Sequence, residues 1–366
     1  MKLNLDFYSS EKEEKISEEE KNIYEKYFSE SNKNIEIQPD TQVSDYQILS
    51  NFRKNIISWY EFKEKSDILE LNANFGELTG YLSEKAESIV SVVNNKQKGY
   101  AILNRYPTNK NLEVIVGDIE KININKNFDY ITIIGEENST KFAQKLKFAK
   151  EHIKQDGKIL VAFNNKFGMQ YWTGLKDDCA KQYEAIIGKS SKNSLNKIEK
   201  DLKESEFNYK IYYPLPDYKI TNVIFSDEYL PDMESMISRN LIYAREDENL
   251  EFGQREAYIE LLKENKNNFK LFANSYFLEI SKQDIENEIR YVNFEVYRKK
   301  EYNIKTIIKK DVVIKTANIE LAQNHINNIK KNIDILKSKK VWYTEIGNVA
   351  NCALLPKRMC FIWKYV

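Results

Sequence analysis

Residues 67–82 read DILELNANFGELTGYL, and this stretch decides the fold. The run at 66–71 is apolar but too short for a helix, which indicates a buried strand, and a helix is predicted over 76–86. Between these two elements the chain turns through small and polar residues. In open α/β sheets, ligands bind beyond the carboxyl ends of the strands, where such turns lie. The stretch therefore predicts both the kind of sheet and the position of a site.

Strands and helices alternate on both sides of this stretch. Upstream, residues 46–59 space their apolar side chains three and four apart, which predicts an amphipathic helix. The downstream prediction is a strand at 88–93, a helix at 96–106, strands at 111–118 and 127–135, a helix at 140–154, and a fifth strand after a tight turn at Asp156-Gly157. Strands that alternate with helices of about 10–15 residues indicate βαβ units. The predicted fold class is α/β, a Rossmann-like doubly wound sheet with helices on both faces.

The regular alternation stops after this fifth strand. Residues 171–206 are predicted to be largely helical, and a further strand is predicted later in the chain, at 271–280. Beyond it, the order of predicted elements is β, β, α, β, β, which is typical of a small α+β unit. The predicted division is a charged helical leader at 1–45, the α/β domain at 46–280, and the carboxyl-terminal α+β unit at 281–366.

Charge and composition exclude several classes of function. Lys and Arg total 56, Asp and Glu also total 56, and the net charge is zero, whereas nucleic-acid binders usually carry a basic excess. Three scattered cysteines, Cys179, Cys352 and Cys360, indicate free thiols in a reducing cytoplasm. With only two histidines, His152 and His325, no metal site is predicted.

Membrane and secretory segments are not expected either. No run of 18 apolar residues occurs in the sequence, so no spanning helix is predicted. The amino-terminal stretch MKLNLDFYSSEKEEK has no apolar core of the kind that a secretory signal needs. A cytoplasmic location is the resulting expectation.

The turn after the first strand resembles motif I of the class I S-adenosylmethionine-dependent methyltransferases, whose form is acidic-x-Gly-x-Gly-x-Gly. Glu70 matches the acidic position and Gly76 the last glycine, while Asn72 and Asn74 stand where the family has its first two glycines. Asn is the non-glycine residue that best tolerates a positive φ, so the backbone path is expected to survive. The resemblance implies that these four residues line a site for S-adenosylmethionine. The alternative is an ordinary packing joint between strand and helix.

Three further positions take their implied roles from the same resemblance. Val93 ends the second strand, where the family carries an acidic residue that hydrogen-bonds the ribose of the cofactor. A valine cannot accept those hydrogen bonds, and such a loss typically costs a few kcal/mol. Asp118 matches the acid that faces the adenine amine, and Gly135 begins the loop that the family places toward its substrate.

The resemblance extends over residues 46–280. Within this range the sequence is similar to a bacterial subgroup of these methyltransferases that is associated with cell-surface polysaccharide biosynthesis. It is carried by several motifs in order, among them KILVAFNNKFGMQYWTGLKDD at 158–178 and YYPLPDYKITNVIFSDEYLP at 212–231. The subgroup implies a glycan or a glycan precursor as the methyl acceptor.

The acceptor side shows both matches and departures. Asp177 and Asp178 match an acidic pair of the subgroup and are the implied catalytic carboxylates, with a surface acidic pair as the equally weighted alternative. Asn164 replaces a family Glu, and Cys179 stands where the subgroup has a His. A hydroxyl acceptor needs a general base, and that His would have been the natural one.

Two functions from different classes remain open at this point. The first is an S-adenosylmethionine-dependent methyltransferase acting on a small molecule or a glycan. The second is a degenerate relative that serves as a binding or scaffold subunit, because the departures fall at positions that contact cofactor or substrate. A nucleic-acid methyltransferase is disfavoured by the zero net charge. The oligomeric state stays open.

The carboxyl-terminal unit bears a fainter resemblance to the amino-terminal lobe of kinase-like phosphotransferases. VVIK at 312–315 is predicted as a strand, and a helix containing Glu320 follows it. The resemblance implies that Lys315 contacts phosphates in an incomplete lobe, because no catalytic loop follows in this sequence. A chance match in a chain rich in Lys and Ile is the stronger hypothesis.

Overall fold

Strands from the whole length of the chain join one large β-sheet. The computed structural model describes residues 2–31, 43–136, 138–176, 182–187, 190–238, 253–296 and 298–338, together with the strand segments 349–351, 354–355 and 358–364. The strands within this part of the chain are Lys2–Asn4 (β1), Ser66–Leu71 (β2), Ala86–Val93 (β3), Leu112–Val116 (β4), Phe128–Ile134 (β5), Ile153–Asn164 (β6), Asn208–Leu215 (β7), Val223–Ser226 (β8), Ser275–Ser281 (β9), Tyr291–Phe294 (β10), Ile304–Ile308 (β11), Val312–Ala317 (β12), Val349–Asn351 (β13), Leu354–Leu355 (β14) and Arg358–Lys364 (β15).

Helices connect the strands and cover the sheet. The α-helices in the described ranges are Glu18–Ile23 (α1), Val43–Leu49 (α2), Thr79–Lys85 (α3), Lys96–Arg105 (α4), Ser139–His152 (α5), Met169–Trp172 (α6), Glu184–Ile187 (α7), Leu195–Glu204 (α8), Met233–Ser238 (α9), Gln254–Glu264 (α10), Phe269–Phe272 (α11) and Gln323–Ser338 (α12). A π-helical turn, Tyr24–Phe28, extends α1. Short 3-10 helices are formed by Asn51–Ile56, Lys266–Asn268, Lys300–Tyr302 and Glu320–Ala322.

The first half of the sheet is doubly wound. Its order is β4-β3-β2-β5-β6, and all neighbouring pairs are parallel. The chain runs outward from β2 through β3 to β4 and then returns to place β5 on the other side of β2. The order therefore reverses between β2 and β5, which is a topological switch point. The prediction of a Rossmann-like α/β sheet is confirmed.

Both faces of this half are buried, as the continuous apolar character of its strands predicted. On one face, Leu69 of β2 belongs to a core cluster with Phe142 and Leu146 of α5. On the other face, the adjacent Ile68 belongs to a cluster with Leu82 of α3. Neighbouring side chains of one strand thus point into two different cores.

Two predicted elements differ from the observed ones for local reasons. The helix predicted over 46–59 divides at Ser50, which is extended and whose hydroxyl accepts a hydrogen bond from the N–H of Phe52, so a 3-10 helix follows α2. The turn predicted at Asp156-Gly157 lies inside β6, where the pairing with β5 shifts register. The Asp-Gly pair is accommodated as a strand irregularity because β6 begins directly after α5 at Ile153.

The sheet continues without a break into the carboxyl-terminal part of the chain. Antiparallel β9 lies between β6 and β7, and β8 then pairs with β10, with Val292 opposite Ile224. Strands β11, β12, β15 and β13 follow in order. The division at residue 281 stays a prediction, and the backbone hydrogen bonds of the sheet cross it. Lys315 lies on β12, and Glu320 begins the 3-10 helix Glu320–Ala322 that follows this strand.

The predicted leader also joins the sheet. Strand β1 pairs in parallel with β4, with Leu3 opposite Val114, and forms the first strand of the sheet order. Helix α1 has a full capping box, in which the Ser17 hydroxyl accepts from the N–H of Glu20 and the Glu20 carboxylate accepts from the N–H of Ser17. The leader is therefore positioned beside the carboxyl ends of β3 and β4.

An aromatic cluster under the sheet generates a stability prediction. Trp59 is buried, its ring centroid lies 4.8 Å from that of Tyr212 and 5.2 Å from that of Phe277, and its indole N–H donates to the Ile56 carbonyl. Trp59→Ala should lower the free energy of unfolding by about 3–5 kcal/mol, because it empties a packed site. Urea unfolding measures this change.

The matched control for this cluster is Trp172→Ala. Trp172 is 44% exposed, so the same truncation should change the free energy of unfolding by less than about 1 kcal/mol. Equal losses for the two variants would contradict the assignment of Trp59 to the core.

Candidate functional site

The turn after β2 adopts the backbone path that its sequence predicted. Asn72, Asn74 and Gly76 all have positive φ, at 67°, 51° and 77°. The Asn72 side-chain amide donates to the Ile134 carbonyl at 3.1 Å, and the Asn74 amide donates to the Glu77 carboxylate at 2.7 Å. The expectation that asparagines can hold this conformation is confirmed. The Asn72 side chain bonds to the end of β5 and the Asn74 side chain to Glu77, which precedes α3, and both asparagines still face open space.

A cleft of about 900 Å³ opens above this turn, at the switch point between β2 and β5. This size is ample for a small-molecule ligand, since such sites typically measure about 300–1,000 Å³. We call it the switch-point cleft. It is lined by Ser17, Glu19, Glu20, Ile23, Gln47, Ile48, Arg53, Asn72, Asn74, Glu77, Ile134, Gly135, Leu175, Lys176, Tyr218 and Lys219.

Arg53, Tyr218 and Gly135 shape one wall of the cleft. Arg53 is 6% exposed, and its guanidinium donates to the Tyr218 carbonyl at 2.9 Å and lies 5.2 Å from the centre of the Tyr218 ring. Gly135 has a φ of 86°, and a Cβ there would lie 3.2 Å from the Tyr218 hydroxyl. Only glycine fits this position without strain, because the strand end and the tyrosine ring approach so closely.

A second, smaller cavity of about 120 Å³ lies beside the first, over β3 and β4. We call it the side cavity. Asn72 and Asn74 line both spaces, so the two adjoin at the turn. The remaining lining residues of the side cavity are Glu14, Leu71, Val92, Val93, Asn94, Lys98, Gly117, Asp118, Ile119, Lys141, Gln144 and Lys145.

The structure therefore brings together five of the predicted cofactor residues. Asn72, Asn74 and Gly135 line the switch-point cleft, and Val93 and Asp118 line the side cavity. Asp118 is also engaged by the leader, since its carboxylate lies 3.4 Å from the ammonium of Lys12.

Glu70 and Gly76 lie behind the turn and line neither cavity. The Glu70 carboxylate is buried and accepts hydrogen bonds from the hydroxyls of Thr79 at 2.6 Å and Ser91 at 2.7 Å. Burial raises the pKa of Glu70 to about 7, and these two hydrogen bonds oppose the rise. A Cβ at Gly76 would lie 3.1 Å from Tyr106. Both residues thus hold the turn against β3 and α4.

The predicted catalytic pair, Asp177 and Asp178, lies outside the described residues, as does Cys179. The described chain reaches the cleft just before them, through Leu175 and Lys176. Their catalytic role stays a prediction. Within the described residues, no group of three or more His, Cys, Asp or Glu side chains is arranged to hold a metal ion.

Several residues that line the cleft or the side cavity come from distant parts of the chain and were missed by the sequence reasoning. Arg53 and Tyr218 are 165 residues apart, yet they form one wall. Glu20 of the leader pairs with Lys98 of α4 at 2.8 Å. Lys145 of α5 forms an ion pair with Glu136, and its ammonium lies 3.3 Å from the Asn72 side-chain oxygen. No local pattern marks these residues, because only the folded chain brings them together.

Known proteins resemble this chain only at the level of solved structures. A scan against protein-family models gave no match, and a search of curated proteins gave none either. Among solved structures, one similar chain is phosphoethanolamine N-methyltransferase 1 of Haemonchus contortus, in complex with phosphoethanolamine and S-adenosylhomocysteine. The identity is 13% and the TM-score 0.42, over 74% of this chain and 50% of that one. This chain thus spans half the length of the nematode enzyme.

A second similar structure is an S-adenosylmethionine-dependent methyltransferase from Clostridium acetobutylicum. It is 15% identical with a TM-score of 0.40, over 66% of this chain and 92% of that one. These scores describe a partial likeness in the course of the chain. The strand order itself carries the assignment of the fold. In the described residues, no helix is both long and apolar enough to cross a bilayer.

The buried Glu70 carboxyl generates a pH prediction. Its pKa of about 7 in the folded chain exceeds the ordinary value of 4.5, so the folded state binds more protons between these values. Stability from this group is fully present below about pH 4.5 and falls by about 3 kcal/mol as the pH rises to 7. Glu70→Gln keeps an acceptor for Thr79 and Ser91 and should abolish this fall.

Urea unfolding at pH 5, 6, 7 and 8 measures the effect. The free energy of unfolding of Glu70→Gln should rise relative to the wild type from pH 5 to pH 7 and level off by about pH 8. Glu84→Gln, an exposed change on α3, is the control and should run parallel to the wild type. A parallel course for Glu70→Gln as well would contradict the raised pKa.

Proposed function

We propose that this protein binds S-adenosylmethionine at the switch-point cleft and transfers its methyl group to a small-molecule acceptor. The observation that carries the proposal is the turn at 72–76. Its three left-handed residues hold the backbone open beneath a cleft of sufficient size, at the strand ends where doubly wound sheets bind ligands. The methyltransferase-like motif on this turn supports the same cofactor.

The residues present fit an S-adenosylmethionine molecule in charge and in shape. The cofactor carries an activated methyl group on a sulfonium, together with a carboxylate and an ammonium. Arg53 is a buried cation in the cleft wall that suits the carboxylate, and Glu77 and Glu20 line the same cleft and suit cationic groups. Gly135 keeps the cleft open beside Tyr218, where a side chain would fill the space.

Methyl transfer asks the protein mainly to hold the acceptor in line and to exclude water. The lining side chains that serve these ends are Tyr218, Ile134, Leu175 and Ile23, the last of them carried by α1. The leader therefore forms part of the enclosure. We further propose Asp177 and Asp178 as the acceptor-side carboxylates, a glycan or glycan precursor as the acceptor, and a cytoplasmic location.

A specific observation keeps the scaffold function as the second candidate. The Val93 side chain offers no hydrogen-bond acceptor, and the Asp118 carboxylate is already paired with Lys12 of the leader. A protein that has lost catalysis would tolerate both features.

Calorimetric titration with S-adenosylhomocysteine tests the proposed cofactor site. Micromolar affinity is expected for the wild type. Gly135→Ala should weaken binding about tenfold, because its Cβ strains a backbone at φ 86° and crowds Tyr218. Trp172→Ala lies outside the lining of the cleft and should bind like the wild type. No heat of binding at millimolar ligand would refute the cofactor.

Transfer of labelled methyl groups separates the enzyme from the scaffold. The protein is incubated with methyl-labelled S-adenosylmethionine and a panel of nucleotide-activated sugars. Label should enter at least one sugar, and a double variant with Asp177→Asn and Asp178→Asn should transfer at least tenfold more slowly if a carboxylate acts as the general base. Tight cofactor binding without transfer to any acceptor class would favour the scaffold.

A further inference from the structure

The leader crosses the carboxyl ends of β3 and β4 in a well-anchored conformation. The N–H of Glu14 donates to the Asn94 carbonyl at 2.8 Å, and the Asn95 side chain donates to the Glu14 carbonyl at 3.0 Å. The neighbouring Glu13 carboxylate accepts from the N–H of Lys96 at 2.7 Å and from the Tyr8 hydroxyl at 2.9 Å. These bonds fix the position of Glu14 directly beyond the end of β3.

The Glu14 side chain lines the side cavity together with Val93, Asn72 and Asp118. One carboxylate oxygen lies 2.5 Å from the Lys141 ammonium, and the side chain is 38% exposed. Burial alone would raise the pKa of Glu14, but the hydrogen bond and charge of Lys141 and the charge of Lys98 outweigh it, so the pKa is lowered. The group is therefore an ionised acceptor at neutral pH.

Doubly wound nucleotide-binding folds usually place an acidic residue at the end of the second strand, where it accepts hydrogen bonds from a ribose hydroxyl. In this chain β3 ends at Val93, whose side chain cannot do so. A carboxylate is nevertheless present in the same cavity, supplied by the leader. The Glu14 carboxylate can accept further hydrogen bonds besides the one from Lys141, because a carboxylate offers about four acceptor sites.

We propose that Glu14, delivered by the leader, accepts the hydrogen bonds of the cofactor's ribose hydroxyls in place of the acidic residue missing at Val93. This inference rests on the proposed function and adds a binding residue to it. The side cavity alone, at about 120 Å³, is smaller than a typical ligand site. In this proposal the side cavity holds the ribose end of the cofactor. The leader narrows this cavity and supplies its ribose-binding carboxylate through Glu14.

Calorimetry with S-adenosylhomocysteine on the full-length protein tests the role of Glu14. Glu14→Gln should weaken binding about 10- to 100-fold, as expected when a charged hydrogen-bond acceptor is lost. Glu11→Gln makes the same change in charge at an exposed position of the leader and should leave the affinity unchanged. Equal affinities for Glu14→Gln and the wild type would overturn the inference, whereas absent binding by the wild type would overturn the proposed function itself.

Two further measurements separate a ribose contact from a merely structural role. The wild type should prefer S-adenosylhomocysteine over its 2′,3′-dideoxyribose analogue, and Glu14→Gln should lose most of that preference. Adding Val93→Asp to Glu14→Gln should restore at least tenfold of the affinity. If Glu14→Gln weakens both ligands equally and Val93→Asp restores nothing, Glu14 acts only by anchoring the leader, and the inference is wrong.

Discussion

The parallel pairing of β2 between β3 and β5 is the constraint on which the rest of the structure depends. It places Leu69 opposite both Val90 and Ile131, so the central strand is hydrogen-bonded on both edges. Because connections between parallel strands are right-handed, the run from β2 to β4 and the run from β5 to β6 in the other direction place their helices on opposite faces. The turn after β2 then lies at a crevice that neither set of helices covers. The switch-point cleft follows from this geometry.

Buried polar groups hold the turn in its left-handed path. The Glu70 carboxyl receives the hydroxyls of Thr79 and Ser91 beneath the turn, and Asn72 ties its upper side to the end of β5. Burial raises the pKa of this carboxyl to about 7, so its proton is held near neutral pH although the two hydrogen bonds oppose the rise. Glu70, the acidic residue of the motif, therefore supports the turn from behind, and Asn72 and Asn74 form the surface that lines the two cavities.

The leader is an integral part of the site. Its strand extends the sheet at β4, its helix forms one wall of the cleft, and the segment between them covers the side cavity. Charged pairs connect it to the sheet-covering helices, including Lys98 with Glu20 and Lys141 with Glu14. Partly exposed pairs contribute little stability each, typically below about 1 kcal/mol. The hydrogen bonds of the Glu14 backbone with the Asn94 carbonyl and the Asn95 side chain therefore provide much of the anchoring. The leader thus contributes lining residues to both the switch-point cleft and the side cavity.

The sequence by itself determined the α/β class, the strand-turn-helix alternation and the left-handed turn at Asn72 and Asn74, because these features depend on local periodicity and on the φ preference of single residues. Val93, Asp118 and Gly135 were implied by the resemblance to the methyltransferases, and the structure places them at the cavities beside the turn. The tertiary structure alone decided that Glu70 turns inward and that Glu14 lies beside Val93. Those outcomes depend on contacts between segments dozens of residues apart, and no local pattern records which distant partner a side chain will meet.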